Sequence, residues 1–396
     1  MADAAHHRVL VIGGGNAGIS AAARLRRQGV RDVAVIEPRE LHRYQPLFSH
    51  VAGGTARASS AVRTQASVIP SGVTWIRDEV TAVEPKQSRV VLASGRSIGY
   101  DQLVVCPGIR KDWDRIPGLE QSLSTPEVAS HYEYDLVPKA SRLLRSLRSG
   151  TVVFVQPPEP ASCAGVSQKP MYLACDYWRA VGALNDIRVV LVVPGENLFD
   201  IAEIDGELRR KTEEYGIEVR TSSQLAAVDG EDRIATISGP RPERLAYDVL
   251  HVVPPQSAPD FLHGSELSTR GDGFVDVDAR TLRHPRFPNV WSLGDAAVTT
   301  NTKSGGALRK QTAVVAKNIA SALRGDDATA RYDGYSVTPF TVSRSTVVFA
   351  EYDHWGKLKP SMPLWRTMWR ENRLTWVLDR HVLPWVYWNL ILKGLA

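Results

Sequence analysis

The chain has 396 residues, a formal net charge of +5 and three cysteines. That length suggests two or three domains at roughly 100–200 residues each, and 43% hydrophobic with 23% charged residues excludes a disordered or fibrous chain. Three cysteines exclude a disulfide scaffold, no close pair of them reads as a zinc site, and no apolar run approaches the ~20 residues needed to span a bilayer.

Residues 1–7 are polar and lack the basic-then-apolar pattern of a signal peptide, so a bacterial protein on the cytoplasmic side is expected. Residues 8–12 (RVLVI) form a β-branched apolar run that predicts a buried parallel strand. It leads into Gly13-Gly14-Gly15-Asn16-Ala17-Gly18 and a helical stretch over 19–28. A second apolar run, 33–36, ends at Glu37, 19 positions after Gly18. This is G-x-G-x-x-G between strand and helix, with the acid where a dinucleotide ribose needs an acceptor. Gly13 permits the tight turn, Gly15 lets backbone approach a pyrophosphate, and Gly18 lets helix and strand pack closely. The rival reading is a glycine-rich turn of another α/β fold.

Residues 101–108 (DQLVVCPG) predict a strand and a small-residue turn, where such a domain crosses to the next. A second α/β unit is expected from Thr151, with strands over 151–155, 187–193, 217–219 and 249–252 and helices over 169–180 and 205–215. Its first loop, QPPEPASCAG from Gln156 to Gly165, has three prolines and no glycine triplet. That is a poor cradle for a second pyrophosphate, which argues against a nicotinamide donor. Late in the chain, residues 290–295 (VWSLGD) give a strand ending in Gly294-Asp295, before a helix over 307–323. In two-domain FAD enzymes such a turn closes the cofactor site and its Asp bonds the ribityl chain. With the N-terminal fingerprint it points to FAD.

Six of the ten tryptophans lie between residues 351 and 396, which also hold seven Lys/Arg against four Asp/Glu. Two short amphipathic helices broken near Pro384 are expected, lying at a lipid headgroup boundary. The rival reading is a helix pair packed on the protein itself, or an oligomer interface. No recognition motif accompanies the basic residues, so no nucleic-acid partner is expected.

Several stretches together resemble the sulfide:quinone oxidoreductases, in the branch that contains the mitochondrial enzyme. They are Glu37-Pro38, Tyr44-Gln45-Pro46, residues 66–73, Cys163-Ala164-Gly165 with Gln168-Lys169 and Met171-Tyr172-Leu173, residues 247–255, residues 332–335, Arg373-Leu374 and residues 383–389. The resemblance runs along essentially the whole chain. It implies an α/β fold of two Rossmann-like dinucleotide-binding domains, of the FAD-dependent disulfide-oxidoreductase type, plus a C-terminal amphipathic segment. The expected division is 1–150 and 266–340 for the FAD domain, 151–265 for the second domain and 341–396 for membrane contact. The resemblance also implies FAD bound by Gly13, Gly15, Asn16, Gly18, Glu37, Gln45, Val80, Gly294 and Asp295. It implies a small sulfur substrate, a sulfur acceptor and a membrane quinone, with Lys303 supplying positive charge near the flavin. A homo-oligomer is compatible with all of this.

One departure bears on the chemistry. The family's second redox cysteine follows the late Gly-Asp, and here that position is Ala296. Cys163 therefore has no disulfide partner there. It could act with a substrate-borne disulfide or persulfide, or Cys106 or Cys175 could replace the partner, or the chain could oxidise another thiol or hydride donor. Cys106 and Cys175 read better as buried small hydrophobes. Cys163 stands at an expected helix start near Lys169, a setting that favours a thiolate over a core residue. Two further functions stay open: an NADH:quinone-type oxidoreductase and a non-catalytic flavoprotein sensor.

Overall fold

The computed structural model describes residues 5–299, 303–362 and 365–396. Its first sheet runs in the order Val73–Ile76, Val33–Ile36, His6–Ile12, Ser97–Val105, Arg89–Leu92, Val80–Glu84, with Val290–Ser292 paired to the far half of Ser97–Val105. The strands around His6–Ile12 are parallel, and Val290–Ser292 joins them in parallel although it comes nearly 200 residues after its partner. Val9, Leu10 and Val11 are fully buried, as expected for a parallel strand covered on both faces. Helix Asn16–Arg27 packs with helix Gly305–Ala322 on one face. The chain thus leaves this unit after residue 105 and returns to complete it.

The second sheet is parallel throughout, in the order Val128–Ala129, Val249–Val252, Gly150–Val155, Ile187–Val192, Glu218–Arg220. Strand Val128–Ala129 comes before the expected start of this unit; two residues carry no periodicity from which to place them. An antiparallel ribbon, Gln224–Asp229, Ile234–Ser238 and Glu243–Ala246, extends the unit. The hairpin Ser336–Thr341/Val347–Tyr352 packs its Phe340 and Val348 into the core of the second unit.

The tail departs from expectation. Helical turns follow one another without a break, Arg373–Val377, Leu378–Val382, Leu383–Val386 and Tyr387–Ile391, so there is one bent helical run rather than two helices split at Pro384. The turns on either side of the Pro384 segment are wide π turns. Proline has no N–H to donate and its ring crowds the carbonyl four residues back, and a wider turn moves that carbonyl away. One side of the run is docked. Tyr387 stacks on Tyr44 at 4.1 Å, the Arg63 guanidinium lies 4.4 Å over Trp388, and Asp379 bonds His50 at 3.0 Å. The other side leaves Leu374 67% and Trp385 58% exposed. Among the described residues no helix is long and apolar enough to cross a membrane.

The second unit's core offers a direct stability test. Trp178 is fully buried and its indole N–H donates to the Leu144 carbonyl at 2.7 Å. Trp178→Ala should lower unfolding stability by about 3–5 kcal/mol, read as a lower denaturant midpoint.

Candidate active site

Three of the loop glycines differ in what limits them. Gly13 has φ +101°, and a Cβ there would lie 2.5 Å from the Cys106 carbonyl oxygen. A Cβ on Gly18 would lie 1.8 Å from the Gly13 carbonyl oxygen, so the strand-to-helix approach excludes any side chain. Gly15 is different: an added Cβ would meet nothing within 4 Å. Space is therefore kept open at the N-terminus of helix Asn16–Arg27, which has no side-chain cap and no acidic residue in its first turn. Exposed N–H groups and the positive end of the helix dipole suit a pyrophosphate there. Asn16 accepts from the Ser20 hydroxyl at 3.2 Å, and a Cβ on Gly305 would come 3.9 Å from Asn16 Nδ2. The start of the late helix thus faces the same space.

Glu37 is buried and accepts from the Gly14 N–H at 2.8 Å and the Arg39 N–H at 2.9 Å. Burial opposes its ionisation, but the hydrogen bonds and charge of Arg39 and the Gly14 N–H outweigh that and hold its carboxyl below the usual range. Val80 is buried in the apolar cluster that holds Ile12 and Ile36, the strand ends flanking the loop. Gly294 donates to Gln311 Oε1 at 3.0 Å, and the Asp295 carboxylate has no hydrogen-bond partner among the described residues. These features fit a dinucleotide cofactor: an open cradle, an uncapped helix end and an unused carboxylate on the return turn.

Sequence reasoning passed over three residues here. His42 Nδ1 lies 3.0 Å from the Gly14 carbonyl, and Gln65 donates to the same oxygen at 2.9 Å. His42 Nε2 is 2.6 Å from the Tyr387 hydroxyl. Burial depresses His42 to about 4, so the ring is neutral, donating through Nδ1 and accepting from Tyr387 through Nε2. The glycine loop is wired to the tail through one imidazole. No motif signals this, because His42 and Tyr387 are 345 residues apart.

The cysteine loop closes the other side. Cys163 does not stand at a helix start: the helix is Gln168–Ala180, and Cys163 sits five residues earlier with φ +69°. The proline-rich loop delays the helix, so its dipole does not act directly on the sulfur. The cation does. Lys169 Nζ donates to Cys163 Sγ at 3.1 Å, and among the described residues this buried lysine has no carboxylate partner. Behind it lie His131 and His251, stacked at 5.0 Å and both kept neutral by burial. The Tyr132 hydroxyl donates to the Ser162 carbonyl at 2.9 Å, and Gln45 reaches the same hydroxyl. Gln45 is thus brought from the first unit to the cysteine loop.

Lys303 joins the loop to the return turn. Its carbonyl accepts from the Cys163 N–H at 2.8 Å, while its ammonium donates to the carbonyls of Asp295 and Ala297, at 2.5 and 2.9 Å. Burial lowers its pKa, opposed by the charges of Asp295 and Glu159. Ala296 is fully buried between those two carbonyls. Cys106 and Cys175 are buried in separate cores, the first under the glycine loop and the second in the second unit, with burial pushing both thiols well up. Neither lies in the apolar group that holds Cys163.

Residues 7–155 match the pyridine nucleotide-disulphide oxidoreductase family. The chain is 32% identical to the mitochondrial sulfide:quinone oxidoreductase of Dictyostelium discoideum over 391 residues, covering 98% of this chain and 86% of that one. It is also 32% identical to the mitochondrial sulfide:quinone oxidoreductase of Mus musculus over 394 residues, 98% of this chain and 87% of that one. The structure of the sulfide:quinone oxidoreductase from Aquifex aeolicus matches with a TM-score of 0.81 at 17% identity, covering 98% of this chain and 92% of that chain. At that identity the likeness speaks to the fold.

Two predictions follow from the loop. Gly15→Ala should leave the melting temperature of flavin-free protein within about 1 °C while weakening flavin retention at least tenfold; Gly18→Ala should lower both. Thermal melts and flavin absorbance after gel filtration separate them. His42 titrates near 6.5 when unfolded and near about 4 when folded, so between those values the unfolded chain binds more protons and stability falls as pH drops. Melting temperature should decline from pH 7 to pH 5, with a shallower slope in His42→Asn.

Proposed function

Since the chain belongs to the sulfide:quinone oxidoreductase family and is a flavin-dependent oxidoreductase, we propose that its flavin is FAD and that Cys163 carries the substrate sulfur alone. The observation that carries this reading is the Lys169–Cys163 contact at 3.1 Å, an ammonium that donates to the sulfur and has no carboxylate partner among the described residues. FAD would be held by Gly13, Gly15, Asn16 and Gly18 at the pyrophosphate, Glu37 and Val80 at the adenosine side, and Gln45, Gly294 and Asp295 toward the ring. Bound FAD supplies two-electron transfer between a sulfur donor and a quinone.

The chain's own residues then have distinct tasks. Lys169 donates to the Cys163 sulfur and aims it. With FAD bound, sulfide and the Cys163 thiol would be joined as a persulfide: the S–S bond forms as the two sulfurs give up two protons and two electrons, and the flavin would take the electrons and pass them to a quinone. An acceptor thiolate or sulfite attacks the outer sulfur and restores Cys163. Ala296 removes the second sulfur from this cycle, so no protein disulfide is opened and the flavin is the sole two-electron oxidant. Lys303 keeps the cysteine loop in register with the Gly294–Asp295 turn. The loop 156–167 occupies the position where a second glycine-rich cradle would follow the strand Gly150–Val155, which disfavours NADH as donor. The exposed side of the tail, with Leu374, Val377, Val382 and Trp385, would meet lipid, the phase in which a quinone is dissolved.

The test is an anaerobic titration with sulfide or glutathione persulfide, followed at the oxidised-flavin absorbance. Wild type should bleach, Cys163→Ala should not, and NADH should bleach neither; equal bleaching by wild type and Cys163→Ala removes the cysteine from the reaction. Lys169→Met should slow iodoacetamide labelling of Cys163 about tenfold at pH 7, and Ala296→Cys should raise sulfide turnover.

A further inference from the structure

A groove of about 610 Å³ opens at the surface between the end of helix Pro46–Ala52, helix Val137–Ser146 and the tail. Four arginines line it: Arg57, Arg142, Arg145 and Arg380. No acidic residue does. None of these four sits within 4 Å of an Asp or Glu among the described residues, whereas Arg43 and Arg179 nearby in the chain each hold one. Asp379, the chain neighbour of Arg380, is turned to His50 at 3.0 Å. Arg380 is instead steadied by donating through Nε to the Thr55 carbonyl at 2.8 Å, which leaves its terminal nitrogens without a hydrogen-bond partner among the described residues. A Cβ on Gly54 would lie 3.0 Å from the Arg145 side chain, so the glycine makes room for that arginine beside the groove.

Four like charges share a groove that no carboxylate lines, so they repel one another, and their planar forks match the oxygens of a phosphate. We propose that this groove binds a phosphate group, and that the phosphate is that of an anionic phospholipid headgroup. The choice of source comes from position. Arg380 lies on the same helical run as Val377 and Val382, which are 46% and 42% exposed, and Trp385, which is 58% exposed. A surface that puts apolar side chains next to a basic groove can place acyl chains and headgroup together. The proposal rests on the membrane reading of the tail and adds the headgroup chemistry to it.

The test is co-sedimentation of the flavin-loaded full chain with two sets of vesicles, pure phosphatidylcholine and phosphatidylcholine with 30 mol% phosphatidylglycerol. The variant is Arg57→Glu/Arg142→Glu, both exposed positions outside the candidate active site, and Arg241→Glu/Arg244→Glu on the ribbon of the second unit matches its charge change. Wild type and the ribbon variant should bind the anionic vesicles at least tenfold better than the groove variant, with all three alike on phosphatidylcholine. Equal loss in both variants means net charge alone is read, and overturns the site. Equal binding of both vesicle types by wild type and groove variant leaves the membrane reading standing and overturns the groove. No binding to either vesicle overturns both. Thermal shift with inorganic phosphate is the last arm: a groove-dependent shift at submillimolar phosphate, without groove-dependent vesicle binding, overturns the lipid as source. Unchanged sulfide-dependent bleaching and melting temperature in the groove variant exclude misfolding as the cause of lost binding.

Discussion

One half-buried lysine sets the geometry on which the candidate chemistry depends. Lys303 uses its backbone carbonyl to hold the Cys163 N–H and its ammonium to hold the carbonyls of Asp295 and Ala297. The cysteine loop belongs to the second unit and the turn to the first, so this residue ties the two halves of the site together, alongside Gln45 at the Tyr132 hydroxyl. Burial makes each of those bonds expensive to leave unmade. It also explains how the loop can carry Cys163 in a left-handed conformation, a strain of order 1–3 kcal/mol that persists only where surrounding contacts over-determine it.

A second chain of contacts ties the tail to the cofactor cradle. The Gly14 carbonyl, the His42 ring and the Tyr387 hydroxyl are joined in series, with Tyr44 stacked on Tyr387 and Arg63 over Trp388. The docked side of the helical run is therefore anchored to the first unit, and the other side leaves Leu374, Val377, Val382 and Trp385 exposed. The tryptophans thus do two jobs. Trp388 is buried against the protein, whereas Trp385 is exposed. A helical face cannot be assigned from composition alone, because both roles draw on the same residue type.

Much of this was legible in the chain. The β-branched run before Gly13, the G-x-G-x-x-G spacing and the acid at Glu37 act through local backbone geometry, so they read correctly from the sequence. Ala296 after the Gly-Asp turn was equally plain, since it is a single letter beside a recognisable motif. What misled was continuity. Cys163 looked like a helix start because it follows a proline-rich stretch just ahead of Lys169, but the prolines, a left-handed Cys163 and the turns that follow it delay the helix to Gln168. Pro384 looked like a break because proline removes a donor, yet π turns absorb it.

The sequence by itself determined the fold class, the glycine-rich turn between strand and helix, and the Gly-Asp-Ala turn of the returning segment, because each is written in a short span whose backbone constraints are local. Only the tertiary structure decided which groups stand around that cysteine. The Lys169 ammonium without a carboxylate, the Lys303 bridge, the His42 link to Tyr387 and the four unpaired arginines bring together groups from different elements, many of them separated by tens to hundreds of residues. Burial then determines which charges go unanswered, and an unanswered charge is visible only once every neighbour has been placed.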